Sequence, residues 1–366
     1  MRRILLVTPL YPPDIGGPAT HAVFVESQLS KLGHRVAKCY FGDVKKYPYI
    51  IRHIIFFFKI LKQAKEFDVV YALDPLGVGL PAGLAARLLG KKFVLRVAGD
   101  RAWETGVQEF GVKESLDDFA RDQYHSLPIF IIKTGQKLAA SLAHTIIVPS
   151  QYLKLIVSSW GVNEKKINVV HSAYEPQDLP SKETLRQELG VKSFSIVSAG
   201  RLVPWKGFKA LIELWPEVMA IRGDATLTIV GDGPDREVLE QLVRLLRLDD
   251  VVTFTGNVSH TEVLQRVRAA DLFVLNTGYE GLSHQLLEVM DMGTPAITTR
   301  IGGNPELIED GKDGMLVEYN NHTQLLTAMR ELIENPIKAR LFVENARERL
   351  KQFDPITIAK KFASLF

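Results

Sequence analysis

A single cysteine, Cys39, stands in 366 residues, which excludes a disulfide framework and a cysteine-rich metal site and points to a reducing compartment. Histidines are also few and form no cluster. His284 and Glu288 have the four-residue spacing that metal ligands can take, yet no third ligand stands at a suitable distance, so no metal site is expected. No apolar stretch is long enough and free enough of charge to cross a bilayer as a helix. Met1-Arg2-Arg3 is followed only by the short apolar run Ile4–Val7 and then by Pro9, Pro12 and Pro13, which reads as a buried first strand and not as a signal peptide. The dinucleotide fingerprint Gly-x-Gly-x-x-Gly is missing, as are zinc-finger spacing and an aromatic-studded basic motif, so nucleic acid is not an expected partner.

The chain has the hydrophobic content, 46%, and charged content, 24%, of a soluble globular protein long enough for two domains. Its net charge of +3 hides an asymmetry. Residues 1–172 hold 23 Lys/Arg against 14 Asp/Glu, and the remainder holds 22 against 28. A basic first half suggests an anionic partner such as a membrane surface or a phosphorylated lipid. Within it, Lys46–Lys65 packs Ile54, Phe56, Phe57, Phe58 and Ile60 between Arg52, His53 and Lys59. Arg52, Lys59 and Lys62 fall on one helical face and leave a wide apolar surface. Two readings stay open, a helix covering a sheet or an interfacial helix on an anionic bilayer.

Short β-rich runs alternate with helix-period segments almost throughout, the pattern of parallel sheets with crossover helices. Ten strands are expected: Ile4–Thr8, Arg35–Tyr40, Val69–Ala72, Phe93–Val97 and Thr145–Val148, then Phe194–Ala199, Leu227–Val230, Val251–Phe254, Leu272–Leu275 and Ala296–Thr299. They fit two doubly wound Rossmann-like α/β domains, 1–172 and 173–353, divided within the proline-bearing stretch His171–Thr184, with a last helix at about 354–366 free to pack back on the first. Two such domains would face each other across a cleft at the carboxyl ends of their strands, where ligands bind in this architecture.

The strand ends of the second half are punctuated by glycine: Gly200-Arg201…Lys206-Gly207, Gly231-Asp232-Gly233-Pro234, Thr255-Gly256-Asn257, and Gly302-Gly303-Asn304-Pro305-Glu306. A glycine lets backbone approach a ligand, and Arg201 and Lys206 can both reach a diphosphate. Between the third and last of these lies Glu280-Gly281-Leu282-Ser283-His284-Gln285-Leu286-Leu287-Glu288, a loop turning into an apolar helix. If Leu282–Met292 is helical, the two carboxylates stand up to roughly 12 Å apart, whereas a hydrolase dyad needs about 5 to 9.5 Å. The pair suits a long, bipartite ligand with a diphosphate over the exposed N–H groups of Leu282 and Ser283. In the first half, Ile15-Gly16-Gly17-Pro18 follows the first strand and opens a helix expected at Ala19–Leu32; it reads as a ligand loop or as a structural turn.

On the Glu-x7-Glu, Gly-Arg-Leu…Lys-Gly and Gly-Gly-x-Pro-Glu segments, the chain resembles the family 4 retaining glycosyltransferases of the two-domain GT-B fold, over nearly its whole length. The resemblance implies sugar transfer from a nucleotide diphosphate sugar with retention of configuration, no cofactor and no bound metal. It implies that Arg201 and Lys206 hold the donor diphosphate, Glu280 faces the donor sugar and Glu288 binds the ribose hydroxyls. Leu282 and Ser283, after Gly281, would offer N–H groups; Gly231, Gly233 and Gly256 would border the nucleobase; Gly16 and Gly17 would approach donor phosphate and acceptor. Many relatives carry a histidine after the fourth strand, where this chain reads Val97-Ala98-Gly99-Asp100-Arg101. Asp100 has three open roles: receiving a hydroxyl hydrogen bond, helping deprotonate the acceptor, or acting as a loop carboxylate paired with Arg101 or capping a turn. The expected acceptor is a lipid-linked or envelope glycan and the expected location cytoplasmic, peripheral to the inner membrane face. A sugar-nucleotide epimerase and a non-catalytic nucleotide-sugar-binding protein are the competing readings.

Overall fold

A computed structural model describes residues 1–14, 16–122 and 125–366 and, for Tyr49 and Ile50, the backbone alone. Ile15, the first residue of the expected Ile15–Pro18 loop, lies outside the described residues. The chain divides into two compact units, Met1–Ala173 with Pro355–Phe366, and Tyr174–Asp354.

In the first unit β1 (Arg3–Thr8), β2 (Arg35–Tyr40), β3 (Val69–Ala72), β4 (Lys92–Arg96), β5 (Thr145–Val148) and β6 (Ile167–Val169) alternate with helices. The helices are α1 (Gly17–Lys31), α2 (Tyr49–Ala64), α3 (Leu80–Leu88), α4 (Arg101–Glu109), α5 (Leu116–Arg121), α6 (Leu127–Leu142) and α7 (Gln151–Ser159). The second unit runs α8 (Lys182–Glu188), β7 (Phe194–Ala199), α9 (Phe208–Glu213), α10 (Trp215–Ile221), β8 (Ala225–Val230), α11 (Arg236–Leu245), β9 (Val252–Phe254), α12 (His260–Ala269) and β10 (Leu272–Leu275). It continues with α13 (His284–Met292), β11 (Ala296–Thr299), α14 (Asn304–Leu307), β12 (Met315–Val317), α15 (His322–Glu334) and α16 (Pro336–Leu350); α17 (Pro355–Ser364) returns to the first unit.

Each unit is built on a six-stranded sheet, in order β2-β1-β3-β4-β5-β6 and β12-β11-β10-β7-β8-β9. Every strand pair is parallel. Ten of the strands lie where the apolar runs placed them, within two residues. The sequence reading left β6 as an extended segment and missed β12, both of them three-residue edge strands too short for a periodic signal.

Parallel sheets bury both faces, and the second unit shows how the sequence does it. Ile196, Leu227, Ile229, Leu272, Val274 and Ile297 point into one apolar cluster around Trp215, while Val197, Ala199, Val230, Phe273, Leu275 and Ala296 point into the opposite one. The two sets alternate along each strand, as a period of two requires. In the first unit Ile4, Leu6, Val69, Tyr71 and Val94 share a core with Ile358 and Phe362 of α17. Cys39 on β2 is fully buried, and burial pushes its thiol up to about 12.

Candidate functional site

In the second sheet the strand order reverses direction between β7 and β10, which lie side by side although six elements, α9 to α12 with β8 and β9, separate them in the chain. Ligands bind outside the carboxyl ends of strands at such a switch point, because the loops after the two strands diverge there. The loop after β7 carries Arg201 and Lys206, and the loop after β10 carries Glu280. The structure brings these two loops together: Lys206 Nζ forms an ion pair with Glu280 Oε1, the two side chains 17% and 16% exposed. Arg201 is exposed and pairs with no carboxylate among the described residues.

Side chains that the sequence reading did not single out clamp the two loops together. Asn276 Nδ2 donates to the Gly207 carbonyl (3.1 Å), Thr277 Oγ1 to that of Trp205 (3.3 Å) and the Gly278 amide to the same oxygen (2.7 Å). Tyr319 closes the set by donating to the Pro204 carbonyl at 3.0 Å. Asn276 and Thr277 are buried polar residues directly after the apolar β10. That polar step at a strand's end was the available signal.

The glycines of these strand-end loops also serve packing. They let loops pack on one another, backbone against backbone. Gly231 has φ +133°, and a Cβ there would fall far inside contact distance of the Gly200 carbonyl oxygen; Gly302, at φ +60°, stands likewise against the carbonyl of Glu280. Gly233 and Gly303 sit against the carbonyls of Leu202 and Gly281, and Gly256 bridges to Gly231. The Gly303 amide donates to the Glu280 carbonyl at 3.0 Å, so the Gly-Gly-x-Pro-Glu loop fixes the backbone that carries Glu280. This nested arrangement is possible only without side chains.

α13 begins at His284, two residues later than expected, because Ser283 is its N-cap and accepts from the Leu286 amide at 3.3 Å. Leu282 and Ser283 are themselves buried, and neither of their amides finds an acceptor among the described residues. With the start of α13 behind them, these amides are donors of the kind an anion could accept from. Glu288, one turn on from His284, is mostly buried, and burial pushes its carboxyl up to about 7. His260 Nε2 lies 3.4 Å away, but burial lowers its own basicity, so it offers little charge in return.

In the first unit Gly16, at φ +143°, is the N-cap of α1, and its carbonyl accepts from the Ala19 amide at 2.9 Å. The helix starts at Gly17, earlier than the expected Ala19. A Cβ at Gly17 would meet nothing, so that residue faces open space. Of the roles left open for Asp100, the structure shows the capping one. It is 1% exposed, caps α4 by accepting from the Trp103 amide at 3.0 Å, and its second oxygen accepts from Trp160 Nε1 at 3.2 Å. Both oxygens accept hydrogen bonds from the fold, so the carboxylate serves as a helix cap.

Residues 181–349 match the family model of glycosyl transferases group 1. The chain is similar to glycogen synthase of Mycobacterium tuberculosis, 26% identical over 396 residues, 100% of this chain and 94% of that protein. It is also similar to a GDP-mannose-dependent monoacylated alpha-(1-6)-phosphatidylinositol monomannoside mannosyltransferase of Corynebacterium glutamicum, 25% identical over 368 residues, 92% and 90% of the two chains. Among solved structures, the Anabaena protein HepE in complex with UDP-glucose superposes with a TM-score of 0.78 at 20% identity, covering 100% of this chain and 99% of that one. The fold is GT-B, and the corner built by Arg201, Lys206, Glu280 and the start of α13 lies within the matched residues.

Proposed function

We propose that this chain is a group 1 glycosyltransferase that moves a hexose from a nucleotide diphosphate sugar to a lipid-linked or envelope glycan, with retention of configuration and without a bound metal. The observation that carries the reading is the Lys206–Glu280 ion pair at the sheet's switch point, next to the unpaired amides of Leu282 and Ser283 and the exposed Arg201. When a glycosidic bond to diphosphate breaks, negative charge collects on the departing phosphate. Arg201, Lys206 and the start of α13 are two cations and a helix N-terminus suited to that charge, the task a divalent cation performs in other transferases.

The ion pair also gives the two residues a common switch. A diphosphate drawing Lys206 towards itself weakens that lysine's hold on Glu280, which leaves the carboxylate to accept from hydroxyls of the donor sugar. Glu288, further along α13, is placed to accept from the ribose. Support for a lipid-borne acceptor comes from the basic first half and from the phosphatidylinositol-mannoside acceptor in the name of the Corynebacterium relative. The cytoplasmic, membrane-peripheral location belongs to the same reading.

Incubating the chain with radiolabelled UDP-, GDP- and ADP-sugars and extracted lipid acceptors, with EDTA present, tests the proposal. Transfer from one donor class is expected, with the product anomer matching the donor by NMR. Arg201→Ala and Lys206→Ala should each lower kcat at least a hundredfold with little change in melting temperature. Normal turnover in both variants would refute their phosphate role, and conversion of the free nucleotide sugar without acceptor would point to an epimerase instead.

A further inference from the structure

α2, α3 and α6 lie side by side on the first unit, with α3 touching both of the others. The inner face of α2 is the expected sheet cover: Phe56, Ile60 and Ala64 are fully buried. Its outer stripe repeats at helical spacing through Ile51, Ile54 and Phe58, with Phe58 59% exposed, before it ends in Lys62 and Lys65. Core packing accounts for the first set and not for the second.

The neighbouring helices continue the stripe. α3 turns Leu84 and Leu88 outwards, Leu88 at 70% exposed, and α6 turns out Leu127, Phe130, Ile131 and Leu138. Nine of the twenty large apolar residues exposed among the described residues sit on these three helices, so the exposure is concentrated and not scattered. None of the three helices contains an Asp or a Glu, whereas they carry Arg52, Lys59, Lys62, Arg87, Lys133 and Lys137. Arg52 lies against the Phe41 ring and Lys59 pairs with Asp43, which places both on the flank of α2 and not on its outer stripe. Lys62, Arg87 and Lys137 have no counter-ion among the described residues. No helix among the described residues is long and apolar enough to cross a membrane.

We infer that the α2–α3–α6 face docks flat on a bilayer that carries anionic headgroups, its aliphatic and phenyl side chains entering the headgroup boundary while the lysines and arginines meet the lipid charge. A protein partner of ordinary composition would meet a face with cations and no anions; an anionic lipid surface complements it over its whole width. The inference rests on the membrane-borne acceptor reading above and names the surface that would bring the enzyme to it.

Sedimentation of the full chain with vesicles of phosphatidylcholine containing phosphatidylglycerol, against vesicles of phosphatidylcholine alone, tests this. Binding is expected to the anionic vesicles, weaker by at least tenfold to the neutral ones and falling with added salt. The double variants Ile54→Glu/Phe58→Glu and Phe130→Glu/Ile131→Glu should each lower partitioning at least tenfold while melting temperature stays as in the wild type. Lys62→Glu/Arg87→Glu/Lys137→Glu should remove the preference for anionic lipid. Equal binding to both vesicle types, no binding to either, or undiminished binding by the apolar variants would overturn the inference. So would a wild-type dimer in analytical ultracentrifugation that the same variants dissociate, since a second copy would then cover the face. Hydrolysis of donor sugar measured without vesicles reports on the donor site alone, so a failure there is distinguishable from a failure of docking.

Discussion

Glu288 is a mostly buried carboxyl on α13. Its carboxyl, raised by burial to about 7, holds a proton more tightly in the folded chain than in the unfolded one, where it titrates near the ordinary glutamate value of about 4.5. The stabilisation from that proton is fully present below pH 4.5 and is lost as pH rises through 7. Glu288→Gln, which mimics the protonated form, should therefore match the wild type near pH 4.5. It should gain up to about 3 kcal/mol over the wild type by pH 8, read from denaturant melts across that range. Parallel profiles for the two proteins would show that the carboxylate is not buried as described. At the same scale, the strand-end positions of Arg201, Lys206 and Glu280 were legible in the sequence, because each follows an apolar run. The ion pair between Lys206 and Glu280 was not, since 74 residues separate them. Asp100 shows the converse: a carboxylate after a strand looks chemical in one dimension and proves to be a helix cap once Trp103 and Trp160 are placed around it.

Loops and helix ends make the corner rigid. The glycines of four strand-end loops allow carbonyls of neighbouring loops to approach where a Cβ would otherwise stand. Gly302→Ala sets a methyl against the Glu280 carbonyl, and the backbone must shift to admit it; a loss of about 2–4 kcal/mol is expected, with transfer activity falling alongside. Gly311→Ala, at a similar positive φ of +73° but in open space, is the control and should lose about 1 kcal/mol with activity retained. Urea midpoints of the two variants decide the point, and equal midpoints would refute the packing role. Strands were the most legible elements, since runs buried on both faces are nearly continuous in Val, Ile and Leu. Helix starts were less so: α13 begins late because Ser283 caps it, and α1 begins early because Gly16 does. Cap geometry depends on one side chain or one φ value, which apolar periodicity does not record.

At the scale of the molecule, the chain passes from the first unit to the second at Ala173 and returns at Asp354. α17 then buries Ile358 and Phe362 beside α1, where the His21 and Phe362 rings lie 5.3 Å apart. A chain ending at Asp354 should lose several kcal/mol from the first unit alone, since two large side chains leave its core. Limited proteolysis should then cut within 1–173 while a fragment near 174–354 persists; uniform resistance would argue against that dependence. The sequence by itself determined the alternating α/β architecture, the division into two halves and the polar residue types at the strand ends. These follow from periodicity, turn chemistry and strand-end position, all of them local. Only the tertiary structure decided which loops meet at the switch point, that the glycines serve loop packing, and that the outer apolar stripe of α2 continues across α3 and α6. Each of these depends on strand order and helix neighbourhood, and parallel crossovers bring together segments tens of residues apart without leaving a mark on either.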